Sequence, residues 1–132
     1  MRQGLVRWMV GAAVLLAVFA LASCGFKRKL ASITVIPSGA NITGTGVKVQ
    51  FKAVGNYVHP PDSRDITNSV IWESAAPQIV TIDQNGLAVS QFACGTNITI
   101  TATAHSDPND SHSGVVVGTA AVGVTQPNNG CP

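Results

Sequence analysis

The sequence predicts an all-β sandwich of about seven short strands, preceded by a signal peptide that is cleaved from the mature chain. Apolar and polar residues alternate with a period of two in several runs after residue 30, and this period is typical of strands with one buried side. Gly, Pro, Asn and Asp residues separate the runs, as expected of the turns in a sandwich. The first 23 residues combine a basic start with an apolar stretch, which is the pattern of an export signal.

The leader is too short for a permanent membrane span. Arg2 and Arg7 precede an uncharged apolar stretch over residues 8–22. As a helix this stretch covers roughly 22 Å, whereas a bilayer core requires roughly 20 apolar residues. We therefore expect residues 1–23 to be a signal peptide. An uncleaved N-terminal helix is the alternative.

The end of the leader reads Leu21-Ala22-Ser23-Cys24 and resembles the lipobox of bacterial lipoproteins. The resemblance implies cleavage before Cys24, diacylglycerol on its thiol and acylation, for example by palmitate, of the new amine. Two or three acyl chains hold a protein on a membrane stably. Gly25 rather than Asp follows the cysteine, so the resemblance implies an extracytoplasmic position in a bacterial cell envelope, on the outer membrane where there is one. A plain signal peptide is the alternative.

Residues 24–29 form a short tether before the domain. Its Lys27-Arg28-Lys29 run either lies against anionic headgroups, at about 1 kcal/mol per charge, or is a solvated spacer. The chain from residue 24 has six basic and six acidic residues, so its net charge is zero. There is no longer basic run, and we therefore expect no nucleic-acid partner.

Residues 30–125 carry the strand patterns, and residues 126–132 form a C-terminal tail. No window after Ser23 shows a helical stripe. Asp83-Gln84-Asn85-Gly86 lies between two short apolar runs, and Asn-Gly in that position is a strong hairpin signal. The alternating runs lie at residues 33–35, 47–53, 70–72, 98–104 and 120–124.

In this region Trp72 is followed by Pro77 and by an Asp83-to-Gly86 turn, with an Ile-Thr-Val-Ile-Pro opening at residues 33–37 and a Gly-Thr-initiated strand at 95–102. These elements, in this order, resemble bacterial Ig-like group 2 domains. The resemblance implies an Ig-like sandwich across residues 30–125. Independently of the family, the alternation places Trp72 in the core, where an indole buries a large apolar surface. An exposed Trp72 stacked on a sugar ring is the alternative.

Three cysteines occur, at positions 24, 94 and 131. If Cys24 carries lipid, Cys94 and Cys131 remain in an oxidising compartment, where such thiols usually pair. We expect a disulfide between them that returns the tail to the domain. Two free thiols, or pairing with another chain, are the alternatives.

No catalytic or cofactor-binding constellation is evident, and the chain is expected to be non-enzymatic with no cofactor and no metal. Glu73 should point away from Trp72, and Asp83 belongs to a turn, which leaves no pair of facing carboxylates. His105 and His112 lie with two aspartates in residues 105–112. This segment lacks the spacing of a calcium loop, and we interpret it as a polar hairpin tip, with a cation site as the alternative.

Two functional classes follow from these observations. The first is a lipid-anchored module that mediates adhesion or binding of a surface glycan or protein through its loops, because recognition commonly resides in loops on a rigid scaffold. The alternative is a structural subunit or spacer of an envelope assembly that uses a sheet face or edge and has no soluble ligand.

Overall fold

The computed structural model describes Gly25, residues 27–127 and Cys131. The expected signal peptide, the expected lipidation site at Cys24, and residues 26, 128–130 and 132 lie outside the described residues. Within the described part the regular secondary structure is entirely β, and no helix there is long and apolar enough to cross a membrane. The ten strands are β1 (Lys29–Ile36), β2 (Gly39–Thr43), β3 (Lys48–Gln50), β4 (Lys52–Val58), β5 (Asp62–Asp65), β6 (Ile71–Ser74), β7 (Val80–Ile82), β8 (Leu87–Ser90), β9 (Gly95–His105) and β10 (Val115–Thr125).

The strands form three sheets, in the orders β1-β4-β5, β2-β10-β9-β6 and β3-β8-β7. Only Phe51 separates β3 from β4, so one continuous run of chain joins the first and third sheets into a layer. The β2-β10-β9-β6 sheet forms a second layer. Gly118 of β10 approaches Ile33 of β1 so closely that an added Cβ would lie 2.7 Å from the Ile33 backbone oxygen. This arrangement is consistent with a β-sandwich.

The structure has more strands than the expected seven because the predicted run at residues 47–53 is interrupted, and because β2 and β5 lie outside the predicted runs. The chain bends at residues 37–38 between β1 and β2, which pair in different sheets, and it breaks at Phe51. The polar strand β5 has the sequence Asp-Ser-Arg-Asp, which contains no apolar alternation by which to find it.

The alternating apolar positions form one core. Phe51 and Ile100 have no exposed surface, and Trp72 is only 4% exposed. The Trp72 indole N–H donates a 2.8 Å hydrogen bond to the Thr67 carbonyl, so its polar atom is satisfied although it is buried. Inward-facing residues from the predicted runs are Ile33, Val35, Ala53, Val70, Ile98, Ala102, Ala120, Val122 and Val124.

The predicted hairpin is present, because β7 and β8 pair antiparallel on either side of residues 83–86. The Asp83 carboxylate accepts hydrogen bonds from the backbone N–H groups of Asn85, at 2.8 Å, and Leu87, at 2.9 Å. Gly86 adopts a φ of 75°, in the left-handed region that a glycine enters without steric cost. The position of the turn was therefore predicted correctly from the Asn-Gly pair. The pair is part of a four-residue loop, residues 83–86.

Strand register defines two ends of the domain. At the tether end, Lys29 pairs with Val58 and Val115 with His105. At the disulfide end, Thr125 pairs with Thr43, close to the start of β9. Strand β10 has 11 residues and runs between the two ends, and at about 3.3 Å per residue it separates them by roughly 35 Å. In the part of the chain that the structure describes, all ten strands, the core and both disulfide cysteines lie within residues 29–131, so residues 25–132 contain every element of this fold.

Candidate functional site

A disulfide fixes one end of the domain. Cys94 and Cys131 are bonded, with their Cα atoms 5.8 Å apart, which confirms the predicted pair. Cys94 directly precedes β9, so the bond attaches the tail to the start of a long core strand. The Gln126 backbone N–H lies 3.1 Å from the Cys131 sulfur, which holds the first residue of the tail beside the bridge.

The loop next to this bridge carries a highly exposed aromatic side chain. Phe92 is 79% exposed, and it lies between two fixed points. On one side the Gln91 backbone N–H donates a 2.8 Å hydrogen bond to the Ile79 carbonyl, and on the other side Cys94 is in the disulfide. Because the backbone is fixed on both sides, the ring is presented to solvent from a preorganised loop.

Side-chain hydrogen bonds join this loop to the tail and to the β2–β3 loop. The Gln126 amide donates to the Gln91 carbonyl at 2.8 Å, and its oxygen accepts from the Thr45 hydroxyl at 3.1 Å. The Ser90 hydroxyl, which is 1% exposed, donates to the Gly44 carbonyl at 2.7 Å and accepts from the Val47 N–H at 3.0 Å. Three separate segments are thereby held as one surface.

A shallow depression of about 360 Å³ lies on the outer side of the β2-β10-β9-β6 sheet near the same end. Its lining includes residues with small or absent side chains, namely Gly39, Ala121 and Gly123. It also includes the amide groups of Asn41 and Asn97. Asn97 has a φ of 55°, and the ladder between β9 and β10 shifts register between Val122 and Val124. Bulges and left-handed residues of this kind often adjoin functional sites.

The described loops at the disulfide end contain no charged residue. Residues 44–47, 75–79, 91–94 and 126–127 provide amide, hydroxyl, apolar and aromatic groups. This surface can therefore offer hydrogen bonds, apolar contact and aromatic stacking, and its own loops contribute no ion pair to a ligand. The arrangement suits an uncharged ligand surface.

The other candidate residues from the sequence lie elsewhere. Residues 105–112 are at the tether end, where the Asp107 carboxylate accepts from the Asn109 N–H and the Asp110 carboxylate from the His112 N–H, both at 2.9 Å. These contacts are those of a polar hairpin tip. Among the described residues no three His, Cys, Asp or Glu side chains are grouped as they would be for a metal ion.

Asp83, in the β7–β8 turn, and Asp65, the last residue of β5, have lowered pKa values because their carboxylates accept hydrogen bonds. The Leu87 backbone N–H, together with that of Asn85, holds the pKa of Asp83 below its usual value. The Thr67 hydroxyl and backbone N–H do the same for the pKa of Asp65. Both carboxylates are therefore occupied in stabilising local backbone.

Phe92 was not predicted from the sequence to be a functional residue. The sequence feature that could have indicated it is an aromatic residue outside the alternating runs, two positions before a cysteine that is expected to form a disulfide. Pro77 and Gly86, from the family-like pattern, lie in the β6–β7 loop and the β7–β8 turn. Neither position brings a reactive group to the disulfide end.

No family model matches the chain. One curated protein, Ice-binding protein 1 of Shewanella frigidimarina (strain NCIMB 400), is 38% identical to it over 78 residues. The match covers 59% of this chain and 8% of that protein. The chain thus corresponds to a small part of its relative's length.

Proposed function

We propose that the protein is a lipid-anchored, non-catalytic Ig-like module of a bacterial cell envelope, and that it binds a glycan or a protein through its disulfide end. The observation that carries the proposal is the exposed Phe92 ring on a loop fixed by the Cys94–Cys131 bond. Exposed aromatic groups supply large contact areas at binding surfaces. A preorganised loop also loses less entropy when a ligand binds.

The strand order supports the Ig-like assignment. When β3 and β4 are counted as one strand, one layer has the order β1, β3/β4, β8, β7, and the other contains β10, β9 and β6. These seven strands follow the A-B-E-D and G-F-C orders of an Ig sandwich. Strands β2 and β5 are additions at the edges of the two layers.

The direction of the chain supports display of the disulfide end away from a membrane. The described chain enters β1 at the tether end, and Phe92 lies at the other end of the domain. An acylated Cys24 would precede Lys29 by only five positions. Such an anchor would leave the Phe92 loop roughly 35 Å, the length of β10, farther from the membrane.

The test compares binding by residues 25–132 with binding by two variants of the same protein. Ligands are sought on a glycan array and by crosslinking to envelope proteins. Phe92→Ala should weaken binding at least tenfold, as expected for a central aromatic contact, without lowering the melting temperature. Ile36→Ala is the matched control, because Ile36 is an apolar side chain of β1 with 52% exposure, outside the loops of the disulfide end. Equal binding by the Phe92→Ala variant and the native protein would contradict the proposal.

Ice is included as a further ligand because the matched relative is named for ice binding. The measurement is inhibition of ice recrystallisation by residues 25–132. Inhibition that is lost in Phe92→Ala would identify ice as the ligand of the disulfide end. Inhibition that is unchanged in this variant would assign ice binding to another surface.

The second candidate function is a structural subunit, and an exposed apolar row favours it. Val117 on β10 and Ile71 on β6 both pair with Thr103 on β9, and the two apolar side chains are 52% and 59% exposed. Val115, also 59% exposed, lies two positions before Val117. If this face joins an envelope assembly, Val117→Asp should abolish co-purification of the partner while Phe92→Ala leaves it intact.

A further inference from the structure

A second cleft, of about 310 Å³, lies at the tether end of the domain. Separate parts of the chain form its walls: the tether, strands β4 and β5, and the β9–β10 loop. Its lining includes the basic side chains of Lys27, Arg28 and Arg64, the ring of Tyr57, and the carboxylate of Asp107. Two neighbouring cationic residues of the tether and a third from β5, 36 positions later in the sequence, thus line one opening.

The charges around this cleft leave a net positive site. Of the lining residues, three are basic and one is acidic. The Asp107 carboxylate accepts the Asn109 N–H at 2.9 Å, so one of its oxygens is already used within the loop. Beside the cleft, the Arg64 Nε donates to the Asp62 carboxylate at 2.6 Å. A guanidinium has five N–H donors, and this ion pair uses only the one on Nε.

The pKa of Asp62 provides a second indication of the basic field. The hydrogen bond from Arg64 lowers it most, and the charge of Arg28 lowers it further. Arg28 therefore acts on the same carboxylate as Arg64, although the two residues belong to different segments. The Arg28 side chain of the tether therefore lies close enough to the Asp62–Arg64 pair of β5 to share one cleft with it.

We propose that this cleft binds the phosphate of an anionic phospholipid headgroup, and that it seats the tether end of the domain on the bilayer. The choice of a bilayer as the source of the phosphate rests on the anchoring at Cys24 in the proposed function. The cleft begins three residues after that position. A headgroup would therefore be present at a high local concentration wherever the anchor is inserted.

Tyr57 fits the same surface. The ring is half-buried and borders both this cleft and a smaller apolar one lined by Leu30, Ile66 and Ile71. Tyr rings are favoured at the level of lipid headgroups because one side is apolar and the hydroxyl is polar. Arg suits a phosphate because its planar group donates two parallel hydrogen bonds. The cleft thus combines charge, geometry and amphipathic character appropriate to a headgroup layer.

The experiment measures binding of residues 25–132, without lipid, to vesicles of one-third phosphatidylglycerol in phosphatidylcholine, and to phosphatidylcholine alone. We expect binding to the anionic vesicles only. Arg28→Gln combined with Arg64→Gln should weaken it about twenty-five-fold, since each basic group near an anionic surface contributes about fivefold. The matched control is Lys48→Gln combined with Lys52→Gln, which removes the same charge outside the cleft and should change binding less than threefold.

A gain of binding provides an independent check. Asp62→Asn removes the carboxylate that occupies Arg64, so anionic vesicles should bind about fivefold more tightly. Circular dichroism and the melting temperature establish that each variant is folded. Arg64 and Asp62 form an exposed ion pair, so its loss should change stability only slightly.

Three results would overturn the inference: equal binding to neutral and anionic vesicles, equal losses in the cleft and control variants, or tighter binding of inorganic phosphate than of anionic vesicles. Binding of inorganic phosphate is measured from the changes that it causes in the amide chemical shifts of Tyr57, Arg64 and Asn109, at constant ionic strength. Acylation is tested separately by palmitate labelling of the full chain. Loss of label in Cys24→Ser with normal vesicle binding by residues 25–132 supports both proposals, whereas label that persists in Cys24→Ser contradicts only the anchoring.

Discussion

Substitution of Gly86 tests how the β7–β8 turn packs against the interruption between β3 and β4. A Cβ added at Gly86 would lie 2.5 Å from the Phe51 carbonyl oxygen and 3.1 Å from the Thr67 methyl group. The Phe51 backbone cannot easily withdraw, because its N–H donates a 2.8 Å hydrogen bond to the Gly86 carbonyl. Its carbonyl also accepts from the Gln50 amide at 2.8 Å. Gly86→Ala should therefore destabilise the fold by both conformation and collision.

Gly46 separates these two contributions. Its φ of 73° nearly equals the 75° of Gly86, but an added Cβ would meet nothing within 4 Å. A left-handed conformation costs a residue with a Cβ about 1–2 kcal/mol, and the reduced entropy of the unfolded chain offsets about 0.4–1 kcal/mol. Gly46→Ala should thus cost about 1 kcal/mol. Overpacking adds roughly 1–3 kcal/mol, so Gly86→Ala should cost about 3 kcal/mol.

The measurement is urea unfolding of residues 25–132 followed by circular dichroism, with the disulfide intact in all three proteins. The free energies of unfolding are compared only if the denaturant slopes agree, since a changed slope indicates a changed unfolded or native state. Equal decreases in the free energy of unfolding in Gly46→Ala and Gly86→Ala would refute the reasoning. The left-handed conformation would then account for the whole effect, and the close approach to Phe51 would contribute nothing.

Three further predictions concern the core, the disulfide and pH. Trp72→Phe should lower the free energy of unfolding by about 3 kcal/mol, because it removes buried volume and leaves the carbonyl that accepts the indole N–H without its partner; no change in urea unfolding would contradict the assigned bond. Cys94→Ala with Cys131→Ala should lower it by about 2–4 kcal/mol while retaining the β-type spectrum, and two titratable thiols in the native protein would contradict the bond. The lowered pKa of Asp83 in the folded state means that its carboxylate contributes stability above the unfolded pKa of about 3.9, and that this stability is lost as pH falls through the folded pKa. Asp83→Asn should therefore reduce the loss of stability between about pH 4 and pH 2, and an unchanged pH profile would show that the turn does not depend on the charge.

The inward-facing residues could be predicted because a strand has a period of two residues. Side chains two apart share a face whatever the sheet topology, so Ile98, Ile100 and Ala102 are buried together. The same reasoning places Trp72 inside. The turn at residues 83–86 was predictable for a different reason, because Asp and Gly stabilise local backbone geometry that does not depend on the remainder of the fold.

Periodicity gives no information about where one strand moves between sheets. Phe51 continues the apolar phase of its run, yet it interrupts the ladder, and β3 and β4 pair with different neighbours. Strand β5 was missed because its exposed side chains carry no apolar signal. The break at Phe51 and the strand β5 both depend on hydrogen bonds between residues that are distant in sequence. Hydrophobic alternation could not predict them, because it indicates only which side chains are buried.

Phe92 and the basic cleft were missed because each requires a three-dimensional juxtaposition. An aromatic residue in a loop is unremarkable until its exposure is known, and Arg64 is 36 positions from Arg28 in the sequence. The tether alone suggested a choice between headgroup contact and a solvated spacer. Arg28 and Arg64 line one cleft, which favours contact with headgroups. A spacer that is only solvated would not need to pack its basic side chains beside a strand of the domain.

The distribution of charge gives the two proposed surfaces different physical behaviour. The chain from residue 24 is neutral overall, yet the described loops of the disulfide end contain no charged residue, whereas Arg28 and Arg64 meet at the tether end. Salt screens interactions between exposed charges beyond about 10 Å at 0.1 M and acts little on aromatic and amide contacts. Raising the salt concentration should therefore release the domain from anionic vesicles while leaving ligand binding at Phe92 nearly unchanged. In the acylated form that we propose, the acyl chains would still retain the domain on the membrane at high salt. Because the two surfaces lie at opposite ends, the domain could then change its orientation with its ligand bound.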